Sequence, residues 1–244
     1  MEALAGTATV VLPARRALHW CAEGLRLWRR YPLRLFVLSL APLVLESVLQ
    51  AIPLVGVALS KMVVPLLGFG LLQGLVDAER NGSLLWSSPF SVWKHGYRWR
   101  AMGLGALMGL IIVGTQQSVV AAIYGWPAVD AVLLGHVRAH PALLTRGFVS
   151  VLVLTGIPLT VLFGMAPMLL MFRGALPWAA VSASVRMCCR HLAPFALYTL
   201  LQMVVMGGML AAPFGMLAVL LWAPWMTACW YVIWKDIEIL PGGT

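Results

Sequence analysis

LRLFVLSLAPLVLESVLQAIPLVGVALSKMVVPLLGFGLLQGLV, residues 33–76, is apolar almost throughout, and beyond its first turn only Glu46 and Lys61 carry charge. Wound as one helix it would be about 65 Å long at about 1.5 Å per residue, roughly twice the thickness of a hydrocarbon core. It must therefore turn back on itself. Pro53, with Gly56 close behind, supplies the break, because a proline removes a backbone donor and clashes with the preceding turn. The stretch predicts a membrane hairpin of two spans, 33–52 and 54–76.

The rest of the chain has the same character. Of its 244 residues 61% are hydrophobic and 10% charged, with a mean hydropathy of +0.92, whereas soluble domains carry about 25% charged residues. So much apolar surface is at home in lipid, and the chain divides into spans and short connections forming one membrane domain over 1–244. The formal charge of +9 sits beside the apolar stretches, with no zinc-finger or RNP-type pattern, so nucleic acid is excluded as a partner and anionic lipid headgroups are the expected counter-charge. Cys21, Cys188, Cys189 and Cys229 form no CxxC pattern and predict free thiols. The first twelve residues lack the basic start of a cleavable signal, so the first span itself is expected to direct insertion.

Residues 13–31, PARRALHWCAEGLRLWRRY, are too charged to span. At 100° per residue Ala14, Leu18, Cys21, Leu25 and Trp28 share one face and Arg16, His19, Glu23, Arg26 and Arg30 another, which predicts an amphipathic helix lying at the interface. A second is expected around Phe90, Trp93 and Tyr97 with Lys94 and Arg98 on its polar side. A third falls over 174–191, where Trp178, Val181, Val185 and Cys188 oppose Ser182, Arg186 and Arg190. Spans three and four are expected at 102–123 and 147–172, the latter bending at Pro158 or Pro167. The closing 43 or so residues, 192–234, are again too long for one crossing and contain Pro213 where a turn is needed, giving spans five and six. Fourteen Lys and Arg residues fall in connections on one side of this arrangement and two, Arg138 and Arg146, on the other. By the positive-inside rule both termini are cytoplasmic.

The chain also repeats itself. Prolines 13, 32, 53 and 65 precede Asp77 and Glu79; prolines 177, 194, 213 and 224 precede Asp236 and Glu238. The successive spacings are 19, 21, 12, 12 and 2 residues against 17, 19, 11, 12 and 2. The units run over 13–79 and 177–238, with a middle unit, 89–173, that shares the plan but not the later landmarks. Each is a surface helix, a hairpin and a D-x-E ending, and the copies share one orientation, as in parallel repeats. This pattern, with LPARR at 12–16, LWRRYP at 27–32, IPLVG at 52–56 and D-x-E-R at 77–80, resembles a family of proteobacterial six-span inner-membrane proteins, and more distantly the membrane-anchor portion of some glycerophosphodiester phosphodiesterases. The resemblance implies a multi-pass protein of the bacterial inner membrane and brings no catalytic residues with it.

Several positions invite chemistry. A charge at a helix centre in lipid costs roughly 2.5–3.5 kcal/mol on insertion scales, and Glu46 and Lys61 stand at nearly equal distances from Pro53, so they are expected to pair. Such a pair could line a substrate or proton path; it could equally fix the register of the hairpin, and the lysine could snorkel to the interface. Acids at a helix C-terminus oppose the macrodipole, so Asp77, Glu79, Asp236 and Glu238 are expected to be clamped by basic residues of the surface helices. Gln50, Gln73, Gln116, Gln117 and Gln202 suit interhelical hydrogen bonds, and Gly103, Gly105 and Gly109 suit close helix packing. His136 and His140 lack a third ligand, so no metal site or cofactor is expected, and no Walker, HExxH or GxSxG pattern is present. The sequence thus predicts a non-enzymatic protein that binds lipid through Arg16, Arg26, Arg30, Lys94, Arg98, Arg186 and Arg190, organises membrane or serves as an accessory subunit, with a protein partner or self-association open to it. The alternative is a small transporter built on Glu46 and Lys61.

Overall fold

The computed structural model describes residues 11–50, 52, 55–94, 96–133, 145–212 and 215–238. Pro53, Pro213, His95, His136, Arg138 and His140, and the side chain of Lys94, lie outside what is described. Among the described residues there is no strand. Among the same residues five stretches are long and apolar enough to cross a membrane: Pro32–Gln50, Leu59–Asn81, Arg98–Tyr124, Arg146–Arg173 and Leu192–Ala211.

The first hairpin consists of α2 (Pro32–Gln50) and α3 (Val55–Asn81), which pack on each other. Helix α3 runs on through Asp77 and Glu79, so these acids lie in its last turns and not in a connection. The surface helix α1 (Arg16–Arg30) precedes the pair. The second surface helix expected from Phe90 to Tyr97 is much shorter than its pattern implied. A 3-10 turn, Ser88–Phe90, leads into the single turn α4 (Ser91–Lys94), and Gly96, with φ of 74°, breaks the helical path in a conformation open to glycine. Tyr97 and Arg98 then open α5 (Arg98–Tyr124).

Gly125, at φ 80°, ends α5, and the link that follows begins with a helix, α6 (Trp126–Leu133). Thr145 caps α7 (Arg146–Phe163) by accepting a hydrogen bond from the Phe148 amide at 3.2 Å. The fourth long stretch does not bend at Pro158, which α7 absorbs. It breaks at Gly164–Met165 and resumes as α8 (Ala166–Arg173), with Pro167 in its first turn, where a missing donor is harmless. Helix α9 (Pro177–Arg190) supplies what the break leaves open: the Ser184 hydroxyl donates to the Leu162 carbonyl at 2.8 Å and accepts from the Met165 amide at 3.2 Å. Cys188 adds a thiol contact to Leu162 O at 3.6 Å. Burial pushes that thiol up to about 12, so it stays protonated. Helices α10 (Leu192–Ala211) and α11 (Gly215–Glu238) complete the chain.

The long helices close on one another: α2 on α3, α3 on α5, α5 on α7, α7 on α10, α10 on α11, and α11 back on α2. Each short surface element leans on a helix that ends beside it: the Ser88–Lys94 turns on α3, α9 on α8, and α1 on α11. The buried core runs through this ring, with Leu66, Leu71, Leu75, Leu104, Met168 and Tyr198 all 1% exposed or less. Large apolar side chains also point outward, among them Val44, Val48, Leu110, Leu200 and Val204, each 57–75% exposed. In water so many would be a liability; in lipid they are the ordinary outer face of a bundle.

Candidate functional site

Lys61 reaches across the first hairpin and donates a hydrogen bond to Glu46. The same Glu46 oxygen accepts from Gln50 Nε2 at 2.9 Å, one turn along α2. Helix α5 holds the lysine in place. A Cβ built on Gly109 would lie 2.7 Å from Lys61 Cβ, and one built on Gly105 would lie 2.9 Å from the Lys61 carbonyl, so only glycines permit this approach. Gly103, the third of that pattern, meets only Pro177, at an ordinary 3.6 Å.

The pair borders a partly open cleft of about 320 Å³. Pro42, Val64, Phe69, Leu72, Met108 and Trp230 give it apolar walls, and every helix of the ring except α10 contributes to its lining. The Trp230 indole lies so close to the break in the fourth stretch that a Cβ on Gly164 would be 2.1 Å from it. Thr160 and Thr227 also line the cleft, but their hydroxyls donate to carbonyls of their own helices, Gly156 at 2.9 Å and Ala223 at 3.0 Å. The charged feature of the cleft is therefore the Glu46–Lys61 pair, with side chains 26% and 32% exposed. An apolar volume with one ion pair at its edge can hold a hydrocarbon body and orient a polar head. Small hydrophilic solutes find few partners there.

The acids that end α3 and α11 are handled unequally. Asp236 accepts two hydrogen bonds from Arg16, one from Nε at 2.6 Å, and a third from Trp20 Nε1 at 2.7 Å. Glu79 accepts from the Tyr231 hydroxyl and from Lys235, both on α11, so it ties the two helix ends together, and of the surface-helix arginines Arg30 acts on it through charge alone. Asp77 accepts from Gln73 at 3.1 Å, and Glu238 is exposed with no ion pair among the described residues. Of the glutamines, Gln116 bonds across to the Leu152 carbonyl at 2.7 Å and Gln202 to Trp222 at 2.7 Å, while Gln50 and Gln73 bond within their own helices.

On α1 the buried stripe is Ala17, Trp20 and Gly24, turned from the apolar face the sequence implies: Leu18 is 55% exposed and Trp28 is partly buried against the core. Trp20 is the anchor that periodicity did not single out. It is fully buried, its ring 5.3 Å from Phe195 and 6.2 Å from Tyr198, and Tyr198 stacks in turn on Trp230 at 5.8 Å. Arg26, Arg30, Arg98, Arg186 and Arg190 are exposed, and Trp178 at the start of α9 is 67% exposed. All four cysteines are free. Among the described residues no three His, Cys, Asp or Glu side chains converge as metal ligands. No family model, curated protein or solved structure matches this chain.

Proposed function

We propose that this is a six-span protein of the bacterial inner membrane, with α11 as the sixth span and both termini cytoplasmic, that binds a lipid-like amphipath and has no catalytic activity of its own. The observation that carries the proposal is the cleft: apolar walls drawn from four ring helices, with Glu46 and Lys61 beside them to orient a polar group. Pairing the two charges keeps either from standing alone in hydrocarbon, and a ligand head with both donors and acceptors can exchange with that pair without leaving an orphan. The volume suits one alkyl chain or a small hydrophobic molecule, within the roughly 300–1,000 Å³ usual for ligand pockets. In this role the protein organises lipid or serves a larger assembly as an accessory subunit.

A permease is the second reading, favoured by the fact that an intramembrane ion pair faces open volume. Native mass spectrometry of the gently extracted protein separates the two. Lipid binding predicts a retained amphipath that is lost on Phe69→Ala combined with Met108→Ala, changes that empty the cleft walls. Recovery of the bare polypeptide mass under the mildest activation, together with solute uptake by reconstituted vesicles that Glu46→Gln abolishes, would replace it with the permease.

A further inference from the structure

We propose that the groove between α1 and the ends of α3 and α11 binds a phosphate group, carried either by an anionic phospholipid headgroup or by a soluble phosphate ester. It lies apart from the central cleft and does not depend on the ligand assigned there. The groove encloses about 520 Å³ and is walled by charged side chains from all three helices.

Its carboxylates are already engaged. Asp236 is held by Arg16 and Trp20, Glu79 by Tyr231 and Lys235, and Glu23 by Arg26. Those bonds leave cationic donors facing the space. Arg30 makes no hydrogen bond or ion pair to a carboxylate among the described residues, although its charge acts on Glu79, and it stacks over Tyr31, its guanidinium carbon 5.5 Å from the ring centroid. Arg26 binds Glu23 through one nitrogen and keeps the rest of its fork. The two arginines are one turn apart, about 6 Å along α1, and Lys235 stands on the opposite wall. His19 lines the same groove.

Four cationic side chains thus share the groove with three carboxylates, and the excess positive charge lies on α1, which supplies three of the four cations and one of the three acids. Two arginine forks on one side and an ammonium on the other match an anion that offers oxygens in several directions, as a tetrahedral phosphate does and a planar carboxylate does not. One end of the groove is fixed before any ligand arrives, because Trp20 is buried and its indole is bonded to the same Asp236 that Arg16 grips. The arginines of α9 provide the contrast: Arg186 and Arg190 are exposed on a helix face and line neither this groove nor the central cleft.

The test uses the full-length protein, stripped of lipid in a non-ionic maltoside detergent that itself lacks phosphate. Thermal unfolding is followed with inorganic phosphate against chloride at matched ionic strength, and with phosphatidylglycerol against diacylglycerol. Native mass spectrometry counts the phosphatidylglycerol retained. The expected result is a rise in the unfolding midpoint with one or both phosphate-bearing probes, and an affinity that falls on the order of tenfold or more in Arg26→Gln/Arg30→Gln but stays within about twofold in Arg186→Gln/Arg190→Gln. A response to phosphatidylglycerol alone assigns the lipid as the source, and a response to inorganic phosphate assigns a soluble ester; either supports the site. Failure of the unmodified protein to respond to both probes overturns the proposal whatever the variants do. So does an equal loss of binding in the α9 variant, which would mean diffuse surface attraction.

Discussion

Glu46 and Lys61 are each about a quarter to a third exposed, so breaking their pair will cost less than the roughly 3–5 kcal/mol of a fully buried one. We expect Glu46→Gln or Lys61→Met alone to lower the stability of the purified protein by about 2 kcal/mol, and the double variant to recover part of that loss. A double-mutant cycle on unfolding midpoints measures the coupling, and strictly additive losses would show that the two act independently. His191 behaves differently because it can titrate. Its Nδ1 accepts the Leu12 amide at 3.3 Å, and burial, with Arg190 next to it, lowers its pKa from the ordinary 6.5. The folded state therefore disfavours the imidazolium, and the detached state binds more protons. Docking of residues near Leu12 is at full strength above about pH 6.5 and weakens as pH falls toward the lowered value, where a proton on Nδ1 would face the amide donor. Trypsin cleavage at Arg15 and Arg16, taken relative to that of an unstructured arginine peptide at the same pH, should accelerate below pH 6.5 in the native protein and lose that dependence in His191→Gln. Unchanged cleavage across that window would show that the contact does not hold this segment.

Among the elements, the broken fourth stretch gives the sharpest expectation. Ser184 is fully buried and serves both an open carbonyl and an open amide, so Ser184→Ala should destabilise the protein by about 1–3 kcal/mol, the usual penalty for orphaned buried groups. Ser182, on the same helix, bonds only to the carbonyl of Ala179 in its own turn, and Ser182→Ala should stay within about 0.5 kcal/mol. Thermal unfolding of the two variants side by side checks this, and equal effects would deny α9 its role at the break. The same reasoning explains why the break was hard to place from sequence. Pro158 and Pro167 both look able to bend the helix, and the choice rests on Gly164 lying against Trp230, which is 66 residues further along the chain. The second surface helix failed for a local reason: Phe90, Trp93 and Tyr97 do fall at helical spacing, but Gly96 interrupts the path between them.

At the scale of the whole molecule the proposed topology places residues near 85 and 180 in the cytoplasm and the segment around 135 outside. Reporter fusions at those three positions and at the C-terminus should read inside, inside, outside and inside. An outside signal at the C-terminus would leave α11 short of a full crossing and overturn the six-span topology.

The apolar helices were legible in the sequence because length and hydropathy are local properties: a 44-residue apolar stretch must fold back in any bilayer. The Glu46–Lys61 contact was legible for a related reason, since a turn between α2 and α3 puts positions about equally far from it at similar depth, whatever the other helices do. Which face of α1 turns inward was not. Periodicity put Leu18 and Trp28 together, but the presence of α10 and α11 made Trp20 the buried residue, with its partners Phe195, Tyr198 and Asp236 at least 175 positions away. The D-x-E endings show the same division. Helix dipole chemistry says from sequence that such acids need partners, but closure of the ring decides that Asp236 finds Arg16, that Glu79 finds Lys235 and Tyr231, and that Asp77 stays with its neighbour Gln73. Hydrocarbon acts on each segment by itself and therefore writes its demands into the local pattern, whereas the packing of one helix end against another is settled only when the last helix meets the first.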